Sequence, residues 1–142
     1  MVKEIQLLDE WQARLGLQDW AITLKYNCDL DEMELGEVAG ETEWAASIKS
    51  GYIKIISQKE YNKMGERVVP YDFENILVHE LLHLKFSLID QKITSYESSV
   101  VYEVRHQLID DIARALILAK RKQITRDVNK RIIDTEELKD YE

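Results

Sequence analysis

The chain predicts an α+β domain: an N-terminal helix, a small three-stranded sheet, a helix carrying a His-Glu-x-x-His motif, and a long C-terminal helix. Three observations lead there. Apolar residues recur at threes and fours near the N-terminus and again beyond residue 72. Between those stretches lie short segments of alternating or β-branched residues, and no repeat or composition break marks a second domain.

The elements follow in order. Ile5 to Leu15 reads as an amphipathic helix on Ile5, Leu8, Trp11, Gln12 and Leu15, with Gly16 as its stop. Trp20 to Tyr26 alternates like a strand, with Trp20, Ile22, Leu24 and Tyr26 on one side. Gly36–Trp44 and Tyr52–Ser57 are two further strands joined by a turn near Ser50-Gly51, and Tyr52–Ile56 has the stronger β-branched content. Residues 58–70 are polar, hold the only proline, Pro70, and read as a connection. Asp72 is placed to cap the next helix, and Glu74 suits the positive end of its dipole. Phe73, Ile76, Leu77, Leu81, Leu84 and Leu88 form the expected buried stripe of that helix. After a turn at Asp90-Gln91-Lys92, a last helix is expected from about Ser95 to Lys122, packing through Val101, Val104, Leu108, Ile112, Ala115 and Leu116. Residues 1–122 then make the domain, and 123–142 a charged tail, frayed or mobile.

Composition limits the function classes. A chain of 142 residues can bury a real core without disulfides, and its single cysteine, Cys28, permits no intrachain bridge. Met1–Gln6 lacks the profile of a secretion signal and no apolar run is long enough to span a membrane, so a cytoplasmic setting is expected. The net charge of −8 argues against a general nucleic-acid binder. Charge is clustered: seven acids and no Lys or Arg lie between Asp29 and Glu43, and six bases against Asp127 alone between Lys120 and Arg131. Both runs read as solvated surface. Asp29-x-Asp31 resembles the start of a calcium loop, but Met33 and Glu34 stand where such a loop needs an oxygen ligand and a glycine.

The chemistry resides in His79-Glu80-Leu81-Leu82-His83. On a helix, residues four apart share a face, so both imidazoles can reach one point. Zinc accepts such a pair, and the Glu between them reaches a metal-bound water rather than the metal, as the general base of a peptidase. A polar stripe on a core helix would be the plain alternative. Against it, two of the three histidines in the chain fall at this spacing, with a Glu at the one position the chemistry requires. Glu80 also falls inside the apolar stripe, where a carboxylate needs a compensating cation such as zinc.

A catalytic zinc takes three protein ligands and leaves one position open. Metzincins carry Gly three residues after the second His and a third His three further on; here Phe86 and Ile89 stand there. A ligand from the following helix remains, as in gluzincins, and Glu97, Glu103 and His106 compete for the role. Glu103 has the thermolysin-like offset of twenty from His83. His106 is preferred because Asp110 follows at i+4, placed to support the metal ligands from outside, as carboxylates beside imidazoles do. Tyr96 and Tyr102 are candidate oxyanion donors.

The segments Trp11–Trp20, Leu77–Leu84 and His106–Leu116 resemble small phage- and prophage-encoded zinc metallopeptidases, over roughly residues 5 to 120. More remotely the chain is similar to the SprT-like and minimal gluzincin groups. The resemblance implies a zincin-like fold, zinc at His79 and His83, Glu80 as general base, and a peptide or protein substrate lying along a sheet edge in a bacterial host cell. The chain departs from the SprT-like pattern in having no C-terminal cysteine zinc ribbon, which weakens any carry-over of DNA-linked proteolysis. Two alternatives of another class stand beside the enzyme: a non-catalytic, zinc-stabilised binding module, and a phage interaction protein acting through its acidic loop.

Overall fold

The computed structural model describes residues 2–65, 69–93 and 99–139, with side chains through Ser87, at Ile89, and from Val100 to Ile124. Among the described residues, four α-helices and one mixed three-stranded sheet make a small α+β fold: α1 (Lys3–Arg14), β1 (Ala21–Cys28), β2 (Gly40–Ala45), β3 (Ser50–Ile56), α2 (Gln58–Lys63), α3 (Phe73–Ile93) and α4 (Ser99–Lys139). The strand order is β1-β3-β2, with β1 parallel and β2 antiparallel to β3. Among the described residues, β2 is therefore an edge, and it is the strand nearest the motif helix.

Burial follows the sequence for the first half of the chain. In α1, Leu8 and Trp11 face the core and Gly16, at φ +66°, takes the left-handed conformation that ends the helix. Gln12 donates from Nε2 to the carbonyls of Leu17 and Trp20, both at 3.2 Å, and so folds the turn into β1. The alternation of Ile22, Leu24 and Tyr26 holds along β1, and Cys28 is a fully buried core residue at its end. β2 is shorter than expected. The turn into β3 lies at Ala46–Ile48, closed by Lys49 in the left-handed region, rather than at Ser50-Gly51, both of which belong to β3. The polar connection contains a helix that hydropathy does not show: Ser57 accepts from the Glu60 amide at 3.2 Å and starts α2.

The motif helix starts where Asp72 places it, its Oδ1 accepting from the Asn75 amide at 3.2 Å. Leu77, Val78, Leu81, Leu82 and Leu84 are buried from α3, with Phe73 and Ile76 at the margin; the side chain of Leu88 lies outside the described residues.

The packing of α4 differs from expectation. Ile109, Ala113 and Ile117 enter the core, at 1, 0 and 3% exposure, whereas Val101, Val104, Leu108 and Ile112 are 37–55% exposed and Ala115 is exposed as well. Leu116 alone of the expected row packs at the core margin. The helix carries two apolar rows, and the buried one is the row that continues through His106 and Asp110. α4 also runs on through the expected tail to Lys139.

Charge clusters taken for solvated surface hold the frame together. Lys120 bonds Glu74 and lies 2.7 Å from Glu10, while Arg121 forks onto Asp72 at 2.9 and 3.1 Å. Trp11 Nε1 donates to the same Glu74 at 2.8 Å. These contacts join α1, the start of α3 and α4 at one end. In the acidic run, Glu41 is only 6% exposed. Its carboxylate accepts from the Glu34 and Leu35 amides and stands 3.5 Å from Lys54, which ties the acidic loop to β2.

Candidate metal centre

Two helices and one strand build the site. His79 and His83, one turn apart on α3, look toward α4, where His106 occupies the turn before Ile109. The ring centroids stand 5.0 Å (His79–His83), 4.8 Å (His79–His106) and 5.7 Å (His83–His106) apart, and one nitrogen from each ring lies within 4.8 Å of the others. This cluster could hold a metal ion.

The orientation of the rings supports that use. His79 Nδ1 is 2.7 Å from Asp110 Oδ1, so the Nδ1–H donates to the carboxylate and the Nε2 lone pair is left facing inward. His79 Nε2 and His83 Nε2 are 3.2 Å apart. Two imidazole nitrogens bound to one zinc at about 2.0–2.1 Å and a tetrahedral angle would stand about 3.3 Å apart. Burial pushes the His83 pKa down to about 4, helped by the neighbouring His79, His106 and Arg105, and burial also lowers that of His79 against the pull of Asp110. Both rings are therefore neutral at pH 7, which is the form that binds metal.

Glu80 turns toward β2 in the same cleft and is 4% exposed. Its direct partner stands on the edge strand. The Thr42 hydroxyl on β2 donates to Oε2 at 2.5 Å and lies 3.4 Å from the Glu80 carbonyl. Burial lifts the Glu80 carboxyl to about pH 7, opposed by the Thr42 bond and reinforced by Glu41 and Asp110. Gly40, two residues before Thr42 on the same strand, leaves the space that the carboxylate fills. A Cβ there would come within 2.9 Å of Glu80 Cγ and Oε1 and 3.0 Å of Ile76 Cγ2. The only prior signal for this pair is the period-two alternation of the strand, which puts Gly40, Thr42 and Trp44 on one face.

These groups line a cleft of about 580 Å³, within the range of small-molecule and peptide sites. Its walls include Gly40, Thr42 and Trp44 from the edge strand and the three histidines with Asp110 from the helices. Tyr102 also lines it, stacked at 6.1 Å on His106. Glu103, the rival ligand, is exposed and belongs to neither the cleft wall nor the histidine cluster. Glu97 and Tyr96 lie outside the described residues. Among the described residues, no helix is long and apolar enough to cross a membrane.

The comparisons with known proteins leave the site to speak for itself: no family model, no curated protein and no solved structure matches this chain.

Proposed function

We propose that the chain is a zinc-dependent metallopeptidase with a zincin-like site, holding its metal through His79, His83 and His106. The observation that carries this reading is the pairing of two unlike groups in one cleft. Three imidazoles converge, one of them fixed by Asp110, while a separate buried carboxylate one residue along the helix is held by a strand hydroxyl. A purely structural metal site has no use for that carboxylate.

When bound, zinc supplies a Lewis acid and makes water a competent nucleophile near neutral pH. The chain's own residues do the rest. Glu80 accepts a proton from the attacking water as the oxygen–carbon bond forms, then delivers it to the amine nitrogen as the carbon–nitrogen bond breaks. A carboxyl poised near pH 7 suits both transfers. Asp110 keeps the His79 tautomer fixed throughout. The outer edge of β2 offers backbone groups on which an extended peptide can lie as an added strand past Trp44, Thr42 and Gly40.

The test is Glu80→Gln in zinc-loaded protein, with a proteome-derived peptide library read by mass spectrometry. The variant should keep one zinc per chain and lose hydrolysis by about a thousandfold or more. Cleavage at the parent rate, or a parent that cleaves nothing, would leave a metal-stabilised binding module as the better account.

A further inference from the structure

We propose that Thr42 and Gly40 of the edge strand form a positioning device for Glu80, fixing which carboxylate oxygen takes the proton. This inference rests on the peptidase reading above. The Thr42 hydroxyl donates to Oε2 at 2.5 Å, so that oxygen has a partner already. Oε1 is the oxygen facing Gly40, where a Cβ would stand 2.9 Å from it. One oxygen is thus tethered, and the other sits in a slot that exists because residue 40 has no side chain. Glu80 itself is 4% exposed, so water does not compete for the Thr42 bond as it would at a surface. The consequence is that β2 acts on Glu80 directly, besides lying along the cleft.

Replacing the hydroxyl by a methyl of equal size should leave the imidazole cluster intact, because the hydroxyl bonds Glu80 and the ring of His79 is held by Asp110. The carboxylate should lose its aim. Acetohydroxamic acid is a suitable probe, since it chelates a metal through two oxygens and gives up its N–O–H proton to a nearby base as it binds. Its affinity for zinc-loaded protein would be measured by calorimetry in the parent, Glu80→Gln, Thr42→Val, Thr42→Ser and Gly40→Ala, with zinc content determined for each. All five should hold one zinc. Loss of a buried charge-assisted bond in Thr42→Val, and displacement of the carboxylate by the new Cβ in Gly40→Ala, should each weaken the probe about tenfold, while Thr42→Ser restores it to within about twofold of the parent. On any peptide the parent cleaves, Thr42→Val should lower kcat with little change in KM.

Parent-like affinity in Thr42→Val overturns the inference. Should that variant fail to fold, Gly40→Ala carries the test, and parent-like affinity there overturns it equally. A parent whose hydroxamate affinity ignores Glu80→Gln, or that takes up no zinc, overturns the peptidase reading together with this one. Sensitivity to Glu80→Gln combined with indifference to both strand variants overturns the positioning role alone.

Discussion

Glu80→Gln should make the metal-free protein more stable, and increasingly so as pH rises. The folded carboxyl is lifted from 4.5 to about 7 by burial, so the folded state holds its proton more tightly than the unfolded chain does. For an acid shifted upward, folding is undisturbed below the unfolded pKa, and stability is lost as pH climbs from there through the folded value. Glutamine has the same shape and can still accept from the Thr42 hydroxyl, but it never ionises. With about 1.36 kcal/mol for each pH unit between the two values, the advantage of the variant is under about 0.5 kcal/mol at pH 4, roughly 1 at pH 5 and about 3 at pH 8. Because Glu80 is buried, solvent screening does not reduce this by much. Urea unfolding of chelator-treated protein at pH 5 and pH 8 measures it directly. Both proteins share His83, whose lowered pKa makes each lose stability in acid, and the difference between them cancels that term. A difference that stays flat between pH 5 and pH 8 would refute the burial of an ionisable carboxyl at this position.

Two further predictions concern the surroundings of the cluster. His106→Ala and Asp110→Asn should each weaken zinc binding by roughly ten- to a hundredfold or more, while Glu103→Ala leaves it nearly unchanged, as read by competition against a chelator of known strength; the opposite ordering would make Glu103 the ligand. Asp72 and Glu74 are partly buried, which raises their pKa values, but Arg121 and Lys120 outweigh this and hold both below the usual carboxylate range. Their stabilisation is therefore complete above the unfolded values near 4 and is lost as pH falls through the depressed folded ones. Asp72→Asn keeps the helix cap but should flatten the fall in thermal midpoint below pH 4, and an unchanged acid slope would show the ion pairs to be idle.

How much of this was legible in the sequence depends on whether local pattern or tertiary choice decided it. The motif helix was legible because its cap, its leucines and its histidine pair agree over a single stretch from Asp72 to Leu84. The three strands were legible in order but not in extent, since Lys49 takes a left-handed turn that lysine does not advertise. Helix α2 was marked by Ser57 and Glu60 at capping spacing, a signal outweighed by the polarity of the segment. On α4 local hydropathy points to the exposed row. Val104 and Leu108 look the better core residues, yet the row that faces α3 is Ile109, Ala113 and Ile117, because His106 and Asp110 on that side have partners across the interface. The polar residues His106 and Asp110 diluted the hydrophobic signal of the face that holds them. Thr42 was legible only as one residue of a strand face, as nothing local marks a hydroxyl whose partner is 38 residues away.

The anchoring of α4 at one end has a mechanical consequence. Lys120 and Arg121 pin the helix to Asp72, Glu74 and Glu10, whereas the imidazole it contributes sits fourteen residues nearer its start. At about 1.5 Å per residue that is a lever arm of roughly 21 Å. Metal–ligand distances tolerate about 0.2 Å, so a pivot of only about half a degree at the pinned end would use the whole tolerance at His106. The small side chain of Ala113, fully buried between pivot and tip, sets how closely the lever can lie on α3. An ion captured by all three rings would add a second hold at the His106 end, beside the Asp110–His79 bond.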